Sequence, residues 1–332
     1  MKIAVIGSGA WGTALAIRLC KNGHAVTLWT RTSDQAEHMQ TTRRNPRLPD
    51  ISLPGELAFS NDYACVRGCA LVVIASPSFP IRSVCRGVAP YLDESAVIVT
   101  VTKGLESGTQ KRMSEVVAEE TNRPVVVLTG PSHAEEVALD VPTACLSASE
   151  DKKLAEFVQD AFMADNFRIY TSPDPVGAEL GAALKNVIAL CAGISDGLGC
   201  GDNTKAMLMT RGLTEMARLG VSLGASKETF AGLAGVGDLI VTCTSMHSRN
   251  RRAGILIGQG KTAMQAMEEV GAVVEGYYAA RSAWELCQKQ GVEMPILHAA
   301  YNVLYNDAPA REAFSALMVR PKKSESEDAG WL

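Results

Sequence analysis

"KIAVIGSGAWG", residues 2–12, decides the fold of this chain: a short apolar run enters a glycine-rich turn, and a helical pattern follows. The glycines have the Gly-x-Gly-x-x-Gly spacing of dinucleotide-binding turns. Gly7 permits a tight turn, Gly9 lets the backbone approach a pyrophosphate, and Gly12 allows the helix to pack closely on the strand. The first amides of the helix then point at the phosphates. A plain glycine turn is the alternative, but its place between a strand and a helix favours dinucleotide binding.

Further apolar runs follow in the first half of the chain, at residues 25–29, 70–75, 96–102 and 124–130. Helical patterns lie between them, among others at 13–23 and 111–121. Because the runs are continuous rather than alternating, we expect strands buried on both faces, as in a parallel sheet flanked by helices. Residues 1–172 are therefore predicted to form an α/β, Rossmann-type, doubly wound dinucleotide-binding domain.

Proline, glycine and serine cluster in "YTSPDPVG" at 170–177, which indicates a domain boundary. From residue 178 onwards, alanine, glycine, leucine and methionine recur at helical spacing. We therefore predict a mainly α-helical substrate and catalytic domain at 173–320 and a flexible, charged tail at 321–332. Within the helical domain, Arg211 and Glu215 are expected to form an i,i+4 ion pair.

The composition argues against several classes of protein. The 332 residues carry a net charge of −4 and the pI is about 5.8, whereas nucleic-acid-binding domains are usually basic. Nine cysteines without a Cys-x-x-Cys motif favour reduced thiols in the cytoplasm, and five scattered histidines argue against a metal site. No stretch approaches the roughly 18 consecutive apolar residues of a membrane span.

The end of the second apolar run bears on the choice of cofactor. An acidic residue there would bind a ribose 2′-hydroxyl and indicate NAD, but the sequence has Thr30 and Arg31. An arginine at this position can pair with a 2′-phosphate. The sequence therefore favours NADP(H) and leaves NAD(H) open, with a solvated surface arginine as the alternative for Arg31.

Three later runs also end in polar motifs: "IASPSFP" at 74–80, "VTVTKGLE" at 99–106 and "VLTGPSHAEE" at 128–136. Ligands of open α/β sheets bind beyond the carboxyl ends of the strands. Lys103 is therefore predicted to bind a phosphate or a carbonyl group, although an ordinary capping lysine is the alternative. Gly130 and Ser132 are expected to present a backbone or hydroxyl donor at the same edge.

Lys185 and Asp238 are isolated charges in apolar segments, "LGAALKNVIALCAGIS" at 180–195 and "AGLAGVGDLIVTC" at 231–243. A lysine or aspartate is rarely buried without a partner, so we expect the two side chains to pair. Burial lowers the pKa of a lysine, which suits a proton donor or acceptor. The alternatives are a lysine at a helix edge and a structural ion pair without catalysis.

A compact basic segment, "HSRNRRAG" at 247–254, stands out in this acidic chain. Ser248, Arg249 and Asn250 supply a hydroxyl, a guanidinium and an amide, a set suited to a small phosphate. Arg251 and Arg252 are expected to be supporting or surface residues. A nucleic-acid patch is the alternative, but it needs a broader basic surface than this one segment.

Together these motifs resemble the bacterial NAD(P)-dependent glycerol-3-phosphate dehydrogenases from about residue 2 to about residue 318. The motifs that carry the resemblance, in the order of the family, are "GSGAWGTALA", "TKGLE", "TGPSHAEE", "LKNVIA", "GVGDLIVTCTS", "SRNRR" and "VVEG". The sequence departs from the family at Ala10, where relatives often have serine, and at Arg47, where an aromatic residue is common. Both differences bear on contacts with the adenine and the phosphates.

The resemblance implies reversible hydride transfer between NAD(P)H and dihydroxyacetone phosphate, which gives sn-glycerol 3-phosphate for phospholipid synthesis. It makes Lys185 the catalytic acid and base, with Lys103 adding positive charge and Asp238 orienting Lys185 and accepting from a substrate hydroxyl. It places around the substrate Lys103, Gly130, Ser132, Lys185, Asp238, Ser248, Arg249 and Asn250. With the glycines of the turn, Gly7, Gly9 and Gly12, the implied cofactor contacts are Ala10, Trp11, Arg31, Lys103, Ala134, Arg249, Val273 and Glu275.

Two other functions stay open from the residues alone. One is a related two-domain reductase, such as a β-hydroxyacid or 6-phosphogluconate dehydrogenase. The other is a redox-sensing regulator that binds NADP(H) without turnover, although the isolated Lys185 and Asp238 argue against it. The expected partners are a small phosphorylated substrate and a nicotinamide cofactor, without nucleic acid or metal, and a homodimer is left open.

Overall fold

In the computed structural model, which describes residues 1–325, the first half of the chain forms a mostly parallel sheet. The strands are β1 Lys2–Ile6, β2 Ala25–Trp29, β3 Arg44–Asn45, β4 Leu48–Ser52, β5 Ala58–Ser60, β6 Leu71–Ile74, β7 Val97–Thr100, β8 Val125–Thr129, β9 Thr143–Ala148 and β10 Phe167–Ser172. The sheet has eight strands in the order β10-β9-β8-β7-β6-β1-β2-β5, and β3 and β4 form a separate antiparallel pair.

The predicted doubly wound architecture is confirmed. The strands run parallel except where β8 meets β9, and β1, β6, β7 and β8 therefore end at one edge. Strands β5, β9 and β10 were not predicted from the sequence. They lie toward the edges of the sheet, and β10 alternates buried and exposed positions instead of forming a continuous apolar run.

Helices flank the sheet and form most of the second half. They are α1 Ala10–Lys21, α2 Ser33–Thr42, α3 Ile81–Val88, α4 Met113–Thr121, α5 Ala134–Ala138, α6 Lys152–Phe162, α7 Pro175–Gly197, α8 Asp202–Ser222, α9 Lys227–Phe230, α10 Asp238–Thr244, α11 Arg249–Gly258, α12 Ala263–Val270, α13 Glu275–Gln290, α14 Pro295–Tyr305 and α15 Ala310–Met318. A π-helical segment, Leu233–Gly237, directly precedes α10. The sheet ends at Ser172 and helices follow from Pro175. Residues 326–332 of the predicted tail lie outside the described residues.

Helix α7 is the centre of the helical half. By length and composition it could cross a membrane, but the helix is buried inside the protein. Its glycines let α11 cross at backbone contact: a Cβ on Gly193 would lie 2.1 Å from the Arg251 carbonyl oxygen, and one on Gly254 would lie 2.1 Å from that of Leu190. The close crossing fixes the start of α11 beside the middle of α7.

A buried carboxylate ties α7 to the sheet half. Glu179 accepts hydrogen bonds from the backbone N–H of Ser114 at 2.8 Å and from the Arg112 guanidinium at 2.8 Å. Since α7 carries Lys185 six residues further on, this contact helps to set the position of Lys185 relative to the edge of the sheet.

The predicted Arg211–Glu215 pair is wrong. The Glu215 carboxylate is buried and accepts the backbone N–H groups of Ile296 at 2.8 Å and Leu297 at 3.2 Å, so that it caps α14. The first N–H groups of a helix have no partner within the helix and need an acceptor. Those of α14 donate to the Glu215 carboxylate, which the i,i+4 spacing had predicted to pair with Arg211.

Candidate active site

The glycine-rich turn between β1 and α1 has the shape that a dinucleotide requires. Gly7 has φ +129°, and a Cβ there would lie 2.6 Å from the Ala75 carbonyl oxygen at the end of β6. A Cβ on Gly12 would lie 2.0 Å from the Gly7 oxygen, whereas a Cβ on Gly9 would meet nothing within 4 Å. The turn is thus packed from below and open over Gly9, where the start of α1, at Ala10 and Trp11, offers amide donors to an anion.

Asn45, from the β3–β4 pair, supports this turn from the side. Its Nδ2 donates to the Ser8 carbonyl oxygen at 3.0 Å and to Thr13 Oγ1 at 2.7 Å, and its side chain is buried. The amide therefore joins the turn to the first part of α1. This role of Asn45 was not predicted from the sequence.

The end of β2 lies beside the turn, as the fold requires. Thr30 is buried and its hydroxyl donates to Gln35 Oε1 at 2.7 Å, while Arg31 is exposed. Arg31 therefore has a guanidinium at the surface, on the strand end next to the glycine turn.

The motifs that follow β6, β7 and β8 meet at the same edge of the sheet. Thr102 Oγ1 donates to the Ser76 carbonyl oxygen at 2.8 Å, which joins the first two. Lys103 Nζ donates to the Gly130 carbonyl oxygen at 3.3 Å, and Ser132 Oγ donates to the same oxygen at 3.0 Å, which joins the second and third. The predicted Lys103, Gly130 and Ser132 are therefore neighbours.

Lys185 and Asp238 form the buried centre of this site. Lys185 is 5% exposed and Asp238 is 1% exposed, and Lys185 Nζ lies 2.5 Å from Asp238 Oδ1. Lys103 Nζ donates to the other oxygen, Oδ2, at 2.8 Å. One carboxylate thus holds two ammonium groups, one from each half of the chain.

Local packing explains why Lys185 faces Asp238. A Cβ on Gly181 would lie 2.4 Å from the Ala234 carbonyl oxygen, so α7 contacts the π-helical segment at this point. Residues four apart share one face of a helix, which directs Lys185 toward the start of α10. There Thr242 Oγ1 accepts a hydrogen bond from Lys185 at 2.7 Å.

Burial and neighbouring charge set the protonation of the cluster. Burial lowers the pKa of Lys185 to about 8, although Asp238 opposes the shift. Burial would raise the pKa of Asp238, but the ammonium groups of Lys103 and Lys185 outweigh it and lower that pKa. Near neutral pH the site therefore holds a carboxylate and a lysine poised to gain or lose a proton.

The start of α11, with Ser248, Arg249 and Asn250, forms a second wall of the candidate site. Ser248 caps the helix by accepting the Arg251 backbone N–H at 3.2 Å. Asn250 is buried: its Nδ2 donates to Asn186 Oδ1 at 3.0 Å, and its Oδ1 accepts the Gly276 N–H at 2.8 Å. Arg249 is exposed beside these two polar groups.

The other two arginines of the basic segment lie apart from this wall. The Arg251 guanidinium forms an ion pair with Asp196 at 2.8 Å and donates to the Thr244 carbonyl oxygen at 2.7 Å. Arg252 is exposed. The sequence left open which of the two is a supporting residue and which is a surface residue.

The predicted cofactor residues of the second half also lie near the edge of the sheet. Glu275, the first residue of α13, accepts a hydrogen bond from Ser78 Oγ at 3.2 Å, in the motif after β6. Burial raises its pKa, while Ser78 and the positive charge of Arg249 oppose the shift. Val273 is exposed two residues before Glu275. In the first half, the predicted cofactor residue Ala134 is buried at the start of α5.

Residues that the sequence analysis did not single out complete the site: Thr242, Asn186, Ser78 and Asn45. Thr242 and Asn186 stand inside the quoted segments that carry Asp238 and Lys185. Their spacing is the only sequence signal that could have identified them: Thr242 lies four residues after Asp238, and Asn186 directly follows Lys185. Among residues 1–325, no group of three or more His, Cys, Asp or Glu side chains could hold a metal ion.

Comparison with known proteins gives matches along nearly the whole chain. Residues 2–155 match the model for the N-terminus of NAD-dependent glycerol-3-phosphate dehydrogenase, and residues 174–315 match the model for its C-terminus. The chain is 53% identical over 326 residues to the NAD(P)+ glycerol-3-phosphate dehydrogenase of Thermoanaerobacter sp., covering 98% of this chain and 99% of the relative.

Two further matches agree. The protein of the same name from Desulfitobacterium hafniense is 50% identical over 333 residues, covering 100% of this chain and 95% of the relative. The crystal structure of glycerol-3-phosphate dehydrogenase from Coxiella burnetii superposes with a TM-score of 0.92 at 39% identity, covering 96% of this chain and 99% of the other.

Proposed function

Since the chain belongs to the NAD-dependent glycerol-3-phosphate dehydrogenase family, we propose that Lys185 is the acid and base of its reaction. The enzyme is an NAD(P)-dependent oxidoreductase that reversibly reduces dihydroxyacetone phosphate to sn-glycerol 3-phosphate. The product supplies the backbone of glycerophospholipids. The observation that carries the assignment is the buried cluster of Lys185, Asp238 and Lys103 at the carboxyl edge of the sheet.

The residues of the first half fit a dinucleotide. The space over Gly9 is open, whereas Gly7 and Gly12 are in close contact with their neighbours. A pyrophosphate would fit over Gly9, and a side chain at position 9 would displace it. Ala10 and Trp11 would hold the phosphates from the start of α1, and Ala134, Val273, Glu275, Lys103 and Arg249 would complete the site. When bound, the cofactor donates the hydride in reduction and accepts it in oxidation.

Lys185 would act on the substrate oxygen. During reduction negative charge develops on the carbonyl oxygen, and a protonated Lys185 both stabilises this charge and donates the proton. In the reverse direction neutral Lys185 takes the alcohol proton. Asp238 and Thr242 hold the amine in one orientation, and Lys103 adds positive charge.

The phosphate of the substrate would lie at the start of α11. Ser248, Arg249 and Asn250 bring an oxygen, a guanidinium and an amide to one place, and α7 holds them near Lys185. Gly130 and Ser132 would contact the substrate from the edge of the sheet. A phosphate at one end and a carbonyl near Lys185 match a three-carbon phosphorylated ketone.

For the cofactor, we propose a preference for NADP(H). The support is Arg31, exposed at the end of β2 where an acidic residue would favour NAD(H). NADH remains a usable substrate, since nothing at this strand end repels it by charge.

We also propose that the enzyme works in the cytoplasm, that its functional domains are residues 1–172 and 173–320, and that it forms a homodimer. All nine cysteines are free thiols, which suits a reducing compartment. Light scattering of the purified protein tests the dimer: a mass of about twice 35.3 kDa supports it, and a monomer mass refutes it.

The function is tested by following NADPH and NADH oxidation with dihydroxyacetone phosphate and, in parallel, with a 3-oxo acid. We expect turnover with dihydroxyacetone phosphate and a higher kcat/KM for NADPH than for NADH. Turnover only with the 3-oxo acid would indicate a β-hydroxyacid dehydrogenase instead. Cofactor binding without turnover of either substrate would indicate a regulator.

A further inference from the structure

His133 carries a buried nitrogen that the site described above does not use. Its Nε2 is shielded from solvent and has no hydrogen-bond partner within residues 1–325. A buried polar atom without a partner costs free energy, and most such atoms in folded proteins are hydrogen-bonded. The atom therefore indicates either a ligand or a bound water at this point.

The surroundings of His133 place its ring beside the active site. The residue follows Ser132, whose hydroxyl shares the Gly130 carbonyl oxygen with Lys103. Its ring packs against His247, with ring centroids 5.6 Å apart. His247 directly precedes Ser248 and Arg249, so His133 lies between the edge of the sheet and the wall at the start of α11.

Burial, together with the positive charge of Lys185, favours the neutral form of the ring. Burial lowers the pKa of His133, and the Lys185 ammonium lowers it further, while Glu136 and Glu135 oppose the shift and His247 adds to it. A neutral imidazole either donates or accepts at Nε2. It suits an uncharged oxygen, and it is a weaker partner for a phosphate than the arginine of the opposite wall.

The remaining polar groups of the substrate have other partners. Lys185 would bind the carbonyl oxygen, and the start of α11 would bind the phosphate. Asp238 was expected to accept from the free hydroxyl, but the oxygens of that carboxylate accept from Lys185 and Lys103, and the side chain is 1% exposed. Ser132 Oγ is also engaged, because it donates to the Gly130 carbonyl oxygen. Among the polar atoms described for this site, His133 Nε2 has no partner and is therefore free to bind the hydroxyl group.

We infer that His133 Nε2 binds the free hydroxyl group of the substrate, which makes His133 a specificity residue for a hydroxymethyl ketone. This inference rests on the proposed function. It implies that the site distinguishes dihydroxyacetone phosphate from acetol phosphate, in which a methyl group replaces the hydroxymethyl group.

The experiment compares wild type, His133→Ala and His133→Asn with both compounds, using NADPH. For dihydroxyacetone phosphate, His133→Ala should lower kcat/KM about tenfold, the effect of one lost hydrogen bond. For acetol phosphate, His133→Ala should leave kcat/KM unchanged, or the inhibition constant unchanged if the compound is measured as a competitive inhibitor. His133→Asn should recover part of the loss. His298→Ala, an exposed position on α14 where the ring stacks on Trp284, is the matched control and should behave as wild type.

An equal loss with both compounds, or no loss with dihydroxyacetone phosphate, would overturn the inference and leave the proposed function standing. Failure of wild type to turn over dihydroxyacetone phosphate would overturn both. If the variants do not fold, histidine-15N spectra of wild type decide: sn-glycerol 3-phosphate should shift the His133 ring nitrogens. Unchanged His133 signals at saturating ligand would refute the contact.

Discussion

Lys185 Nζ lies 2.5 Å from Asp238 Oδ1, and both side chains are almost completely buried. A buried ion pair contributes little to stability on balance, because the desolvation of the two charges offsets their attraction. Here the carboxylate also accepts a hydrogen bond from Lys103. The cluster keeps a lysine with a lowered pKa at a fixed place, which is what proton transfer to a substrate requires.

The pKa of Lys185, about 8, predicts opposite pH profiles for the two directions of the reaction. Reduction needs the protonated amine, so its kcat/KM should fall as pH rises through about 8. Oxidation needs the neutral amine, so its kcat/KM should rise over the same interval. Initial rates from pH 6 to 10 in both directions measure this. Parallel profiles would show that another group transfers the proton.

Asp238→Asn should shift the pH profiles of both directions to lower pH. Without the carboxylate, burial and Lys103 act on Lys185 unopposed, and the pKa of Lys185 should fall below about 8. We expect lower turnover and an alkaline decline of reduction that begins at a lower pH. An unchanged inflection in Asp238→Asn would mean that the carboxylate does not set the charge of Lys185.

The sequence predicted this ion pair for a physical reason that does not depend on geometry. An isolated charge in an apolar segment has to find a partner, and Asp238 is an isolated charge of opposite sign in the same half of the chain. Thr242 and Asn186 could not be found in this way, because hydroxyl and amide side chains occur as often at surfaces as in sites. Their roles follow only from the crossing of α7 with α10 and α11.

Arg31→Glu tests the cofactor preference. Loss of the guanidinium removes an ion pair with a 2′-phosphate, and the new carboxylate repels that phosphate and suits a ribose hydroxyl. We expect the NADPH to NADH ratio of kcat/KM to fall by about 10- to 100-fold. Arg311→Glu, an exposed charge reversal on α15, should leave the ratio unchanged. An unchanged ratio in Arg31→Glu would remove the 2′-phosphate role.

Glu215 should make the stability of the protein depend on pH. Burial raises its pKa to about 7, while the N–H groups of Ile296 and Leu297 oppose the shift. The folded state therefore binds a proton that the unfolded state has already released, and the free energy of unfolding should fall as pH rises from about 4.5 to about 7. The difference from Glu215→Gln should change by up to roughly 3 kcal/mol over that interval.

Urea unfolding of both proteins at several pH values measures this difference, with the exposed Glu268→Gln on α12 as the control. A difference independent of pH would show that Glu215 titrates as in the unfolded chain. The role of this residue was mispredicted because i,i+4 spacing describes only one helix, and the competing donors come from α14, some 80 residues later.

The parallel strands could be predicted because strands buried on both faces leave continuous apolar runs, as at β1 and β6. The outer strands β9 and β10 have solvent on part of their surface, and their mixed composition hides them. Asn45 was missed for a similar reason: its two hydrogen bonds to the glycine turn depend on a short antiparallel pair that no periodicity marks.

The central claim, that Lys185 moves the proton, is tested most directly by Lys185→Ala assayed with dihydroxyacetone phosphate and NADPH beside wild type. The exposed Lys289→Ala on α13 is the matched control. We predict that turnover of Lys185→Ala falls by about 10²- to 10⁴-fold, with its thermal unfolding still cooperative and its affinity for NADPH retained. Near-normal turnover by a folded Lys185→Ala protein would contradict the account.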